Sequence, residues 1–239
     1  MLRKFAAAMA FVLLPLLFAG QASAIYTTIE TGSLNSGVNG GIVANDGWGG
    51  GQFQISWNIG IGSGTNAGTF RYDYTITNPL QRTGLLTRNI HHVIIQVSRS
   101  FTSDNLLPGS TTTSGGPTTF SPGGTDPSTS NPSMPSSVFG VRYTNAGTFD
   151  VTQFTIISDR APMDGNFYAR DGLCTPEFPC TEGITFAYNN GFADRDTGPF
   201  IRVPDTVAHE PASLLLLGSG LTGLGFFARR RRNLGSRKD

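Results

Sequence analysis

Cys174 and Cys180 are the only cysteines of the chain and are separated by Thr-Pro-Glu-Phe-Pro. Their spacing is not Cys-x-x-Cys, and no second ligand pair accompanies them, so redox catalysis and zinc binding are the weaker readings. The expectation is a local disulfide closing a small proline-containing loop, contributing roughly 2–3 kcal/mol on the chain-entropy model. His91 and His92 stand side by side in an apolar stretch. Neighbouring side chains of a strand point to opposite faces, so the two rings are not expected to grip one ion. His91 would share a face with Val93, Ile95 and Val97, and His92 with Ile90 and Ile94. One ring should then be half-buried and hydrogen-bonded, the other near a sheet surface.

Oxygen ligands gather at Asp159, Asp164, Asn166 and Asp171, and again at Asp194 and Asp196. Calcium is the cofactor such loops would suit. The stretch lacks the Asp-x-Asp-x-Asp-Gly spacing of a calcium loop, and Asp and Gly populate turns for backbone reasons alone. The expectation is therefore no cofactor and no metal site, with calcium as the alternative. Catalytic motifs are absent from the sequence: it has neither Gly-x-Ser-x-Gly nor His-Glu-x-x-His. Carboxylates are numerous enough for a glycosidase pair, but sequence alone does not pair them. The chain is read as a non-enzyme. Trp48, in the glycine-rich stretch Asp-Gly-Trp-Gly-Gly-Gly-Gln, is the candidate glycan contact, and Phe192 follows a similar turn. The competing reading is that these rings cap a core.

The elements that must position these groups read as strands. Phe53, Ile55, Trp57, Ile59 and Ile61 alternate with polar or small residues, as do Phe70, Tyr72, Tyr74 and Ile76. A period of two is the signature of a half-buried strand. Further strands are expected over 89–98, 138–143, 149–158, 166–170 and 184–188. The turn Thr65-Asn66-Ala67-Gly68-Thr69-Phe70 recurs as Thr144-Asn145-Ala146-Gly147-Thr148-Phe149, and both copies read as short hairpin loops. Several short strands separated by turn signals predict an all-β fold of β-sandwich or jelly-roll type over residues 25–208. Residues 108–137 contain six prolines, with Ser, Thr and Gly making up nearly all the rest. They are expected to form a flexible insertion, with O-glycosylation permitted by composition.

Composition supports an exported β protein. The chain has 239 residues, 31 of them Gly, only 14% are charged, and Lys4 and Lys238 are its only lysines. Cytosolic helical chains carry more Lys, Glu and Ala. The formal charge of +1 hides an asymmetry. Residues 25–208 hold nine arginines against 14 acidic residues, a balance of −5. That balance excludes nucleic acid as an expected partner.

Both ends read as processing signals. Arg3 and Lys4 precede an apolar stretch from Phe5 to Phe18, and Ala22-Ser23-Ala24 has the small-x-small form that signal peptidase accepts. Residues 1–24 are expected to be a signal peptide cleaved after Ala24, with secretion machinery and signal peptidase as partners. Ala212 to Ala228 is uncharged; its 17 residues span about 26 Å as a helix, slightly short of a hydrocarbon core of about 30 Å. Arg229, Arg230, Arg231 and Arg232 follow, a stop that would remain cytoplasmic with residues 233–239. Gly218 to Gly223 matches Gly-x-Gly-x-x-Gly, but it lacks the strand and βαβ unit that a dinucleotide site requires.

The order Glu210-Pro211-Ala212-Ser213, apolar run and arginine cluster resembles the PEP-CTERM sorting signal of exported proteins in Gram-negative bacteria that make exopolysaccharide. His209 stands where that signal has its first proline. Ser158 to Gly172 also resembles a segment of other PEP-CTERM proteins of unknown function. The resemblance implies an exosortase-like partner, transient anchoring in the inner membrane, and release to the cell surface or medium. It further implies a structural or adhesive role in exopolysaccharide or biofilm. A carbohydrate-binding module is the alternative, and an extracytoplasmic glycoside hydrolase the third reading.

Overall fold

A computed structural model describes residues 25–81, 84, 86, 90–124, 130–144, 152–171, 185–193 and 198–207. Through these the chain forms β1 (Ile25–Asn35), β2 (Ile42–Ala44), β3 (Gln54–Ser63), β4 (Phe70–Thr77), β5 (Ile90–Gln96) and β6 (Gly115–Phe120). It continues with β7 (Val138–Thr144), β8 (Thr152–Ser158), β9 (Arg160–Gly165), β10 (Phe167–Asp171), β11 (Phe186–Asn189), the single helical turn α1 (Asn190–Ala193) and β12 (Ile201–Val207). The named strands pair antiparallel throughout. They form a four-stranded sheet of order β1-β3-β4-β8, a six-stranded sheet of order β2-β11-β10-β5-β7-β6, and the pair β12-β9. The protein is all-β.

The period-two patterns are what join the sheets. Ile55, Trp57 and Ile59 of β3 and Tyr72, Tyr74 and Ile76 of β4 are buried. They share one cluster with Val93 and Ile95 of β5, Val141 and Tyr143 of β7, Phe167 and Ala169 of β10, and Ile201 and Val203 of β12. Each buried aliphatic or aromatic side chain contributes about 1.5–3 kcal/mol of transfer free energy, so the alternating faces fix which way the sheets meet. Ile61 breaks the pattern and is 40% exposed, near the end of β3. Tyr72 and Tyr74 keep their hydroxyls satisfied inside this core, donating to the carbonyls of Arg160 and Arg202 at 2.6 and 2.7 Å.

The first copy of the repeated turn joins β3 to β4. Thr69 N donates to Asn66 O, Gly62 N donates to Thr69 O, and Gly68 takes a φ of +83°, the left-handed region that glycine enters without strain. The second copy lies outside the described residues apart from Thr144.

Where composition predicts a flexible insertion, residues 108–124 and 130–137 contain strand β6, which pairs with β7. Leu107 N and Thr111 N donate to the carbonyls of Ile157 and Thr155 at 2.8 Å, so the start of this segment closes the free edge of β8. Phe120, Met134 and Val138 pack with Ile94, Tyr168 and Phe192 on the face of the six-stranded sheet turned away from the shared core. Two apolar side chains in a Ser/Thr/Pro tract suffice to seat it on a sheet that is apolar on both faces.

Strands β9 and β12 lie where the sequence pattern predicts no strand. The register sets Pro162 opposite Pro204, with a shift beside it. Proline has no ladder donor, so sequence patterning demotes both segments. A pair of strands tolerates prolines that a sheet centre would reject.

Candidate functional site

The side chains alternating with the core residues of β3, β4 and β8 form a polar grid. Cross-strand register places Ser56 opposite Thr75 and Thr75 opposite Gln153. One row along, Asn58 lies opposite Asp73 and Asp73 opposite Thr155. Arg71 continues the β4 column, and Thr111 stands beside β8, its Oγ1 accepting from Thr155 N at 2.9 Å. Together they line an open groove of about 440 Å³, under which Trp57, Tyr74 and Phe154 are buried.

Charge within the groove is balanced. Arg71 Nε donates to both carboxylate oxygens of Asp73, at 2.9 and 2.8 Å. Thr155 Oγ1 donates to Asp73 Oδ1 at 2.6 Å. The remaining groups are hydroxyls and amides, which donate and accept. Among the described residues, Asp73 is the one carboxylate in the lining. The signal for this surface lies in the sequence as the polar half of each alternating strand, Ser56, Asn58, Arg71, Asp73 and Thr75.

Trp48 has no open face. It is fully buried, with its ring 5.0 Å from that of Phe53, which overturns the reading of Trp48 as a glycan contact. The cause is the glycine stretch itself. Gly50 and Gly51 take φ of +63° and +91°, turning the chain back so that Ser36 Oγ receives the amides of Gly51 and Phe53 and donates to the Trp48 carbonyl. A loop that reads as open folds over its own tryptophan. Phe192 is likewise buried.

The histidines depart from simple alternation. Register steps from Arg170 opposite His92 to Asp171 opposite Ile90, which makes His91 the extra residue of a β-bulge. The bulge moves Ile90 into the shared core and brings the two Nδ1 atoms within 2.9 Å. The expectation that His91 and His92 point apart is corrected on this account. The protons follow from the network. Asn131 Nδ2 donates to Ser121 O, so Asn131 Oδ1 accepts from His92 Nε2 at 2.9 Å. Neutral His92 then accepts at Nδ1 from the Nδ1–H of His91. His92 is lowered from 6.5 to about 3: burial is the main cause, the Asn131 hydrogen bond opposes it, and the nearby charges of His91, Arg142 and Arg170 add to the lowering.

Two neighbours extend this contact into a clasp. Tyr168 donates to Pro132 O at 2.7 Å, and Arg170 Nη1 donates to Ser130 O at 2.8 Å and Ser130 Oγ at 2.6 Å. Side chains of β5 and β10 thus hold three successive residues, Ser130, Asn131 and Pro132, of the proline-rich segment.

The calcium candidates take separate partners. Asp159 accepts from Asn105 Nδ2 at 2.8 Å, and Asp164 pairs with Arg202 at 2.7 Å. Asn166 Oδ1 accepts from Asn189, and Asp171 Oδ1 accepts from Thr185 N. Among the described residues no three His, Cys, Asp or Glu side chains gather around a point where an ion could sit. Asp194, Asp196, Cys174, Cys180, Ala22, Ala24, the sorting motif Glu210 to Ser213 and Arg229 to Arg232 lie outside the described residues.

No family model, curated protein or solved structure matches this chain.

Proposed function

We propose that the chain is an exported cell-envelope or extracellular-matrix protein whose β-sandwich, jelly-roll-like body serves a structural or adhesive role in exopolysaccharide or biofilm. The observation that carries this reading is the tripartite tail of Glu210-Pro211, Ala212–Ala228 and Arg229–Arg232, at the opposite end from a signal-peptide pattern. The fold agrees with it: antiparallel sheets sharing one core, with low charge and abundant glycine, suit a body that works outside the cell. An exosortase-like enzyme would recognise Glu210-Pro211 during transient anchoring in the inner membrane and then release the body.

A carbohydrate-binding role is the second reading, favoured by the hydroxyl- and amide-lined groove over β3, β4 and β8. A glycoside hydrolase would need two carboxylates about 5–10 Å apart; among the described residues the groove lining contains Asp73.

Fractionation of cells tests the first reading. The intact chain should accumulate in the surface or matrix fraction, and removal of residues 209–239 should send it to the soluble medium or periplasm. Equal distribution of the two forms would contradict the sorting role.

A further inference from the structure

The groove over β3, β4 and β8 has a chemistry that selects among polysaccharides, and we propose that it binds a neutral polymer and rejects acidic ones. This rests on the reading of the chain as a matrix protein and names the ligand class of its groove.

The first support is local charge. Arg71 would be the natural attraction for a uronate or sulfate, but both oxygens of Asp73 already occupy its Nε–H. Asp73 is engaged a third time by Thr155. A pair held from two sides presents little net charge to a ligand. The second support is the field of the whole body, nine arginines against 14 acidic residues over 25–208. That excess repels an acidic chain before contact. The third is the complement of groups. Asn58 and Gln153 lie at diagonal corners of the grid, on the outer strands β3 and β8. Both side chains line the groove and are exposed, so each presents an amide donor and acceptor to a ligand. Ser56, Thr75 and Thr111 add hydroxyls between and beside them. Sugar hydroxyls also both donate and accept. The volume of about 440 Å³ falls within the range of about 300–1,000 Å³ typical of small-ligand sites.

Trp57, Tyr74 and Phe154 face inward, so the groove lacks a ring for stacking. Each contact is therefore a modest hydrogen bond, and retention depends on many sugar units meeting many copies of the protein.

Affinity electrophoresis of the full-length mature protein tests the proposal. The gels contain one of three neutral polymers (dextran, laminarin or galactomannan) or acidic polygalacturonate. At least one neutral polymer should retard the protein, and polygalacturonate should not. Asn58→Ala with Gln153→Ala should weaken the neutral interaction roughly tenfold, the loss of two hydrogen bonds. Asp73→Asn leaves the charge of Arg71 uncompensated and should create retardation by polygalacturonate. Asn58, Asp73 and Gln153 lie outside the buried core, and an unchanged melting temperature verifies that each variant keeps its fold. Retardation by none of the three neutral polymers overturns the proposal. So does retardation of the unmodified protein by polygalacturonate, or neutral retardation that the double substitution leaves intact. Fractionation reads the export hypothesis separately, so a failed gel with correct surface delivery removes the groove alone.

Discussion

His91 Nδ1 lies 2.9 Å from His92 Nδ1, although the residues are neighbours in a strand. A β-bulge turns both rings to one side, and Asn131 fixes the tautomer of the inner one. The pair, with Tyr168 and Arg170, fastens a proline-rich segment that lacks the apolar content to fold alone.

Acid should weaken the fold through His92. Its folded value near 3 lies below the unfolded value near 6.5, so between them the unfolded chain holds the extra proton. Stability from this group is complete above about pH 6.5 and falls towards pH 3, by at most about 1.4 kcal/mol per pH unit. Urea unfolding at about pH 7 and about pH 5 measures the slope. His92→Gln keeps a donor for Asn131 and does not titrate, so its slope should be distinctly shallower.

Asn131→Ala removes the acceptor of a buried His92 N–H and the donor to Ser121 O. The cost should be about 1–3 kcal/mol in denaturant unfolding. Faster amide exchange should concentrate at Gly123 and Asn131, whose backbones bond to each other.

Trp48→Ala should act on stability. Loss of a fully buried indole that packs on Phe53 costs about 3–5 kcal/mol. A melting temperature equal to that of the unmodified protein would contradict the burial of Trp48.

Gly68→Ala should cost about 1 kcal/mol through backbone strain alone. Its φ is +83°, and no heavy atom lies within 4 Å of an added Cβ. Thermal melting checks this, and a much larger loss would mean that the β3–β4 turn is not built this way.

What sequence revealed depended on whether a residue's environment was set locally. The core faces of β3 and β4 were legible because Ile55, Trp57, Ile59, Tyr72, Tyr74 and Ile76 obey one period. The strand at β5 was legible, but its bulge was not, since an extra residue is defined only against the partner strand β10. Strand β1 escaped notice because it lies at a sheet edge and alternates weakly, with Ile25 and Ile29 half exposed. Trp48 misled because glycines that look like an open loop instead supply the positive φ that closes it. The groove required the pairing register, which brings Ser56, Thr75 and Gln153 from distant positions into one row.

Intact-mass measurement of the protein recovered from the cell surface and medium decides whether the C-terminal run is removed. The mature chain should start at Ile25 and end near residue 210. A surface species that still carries Arg229 to Arg232 would contradict it and identify the C-terminal run as a permanent anchor.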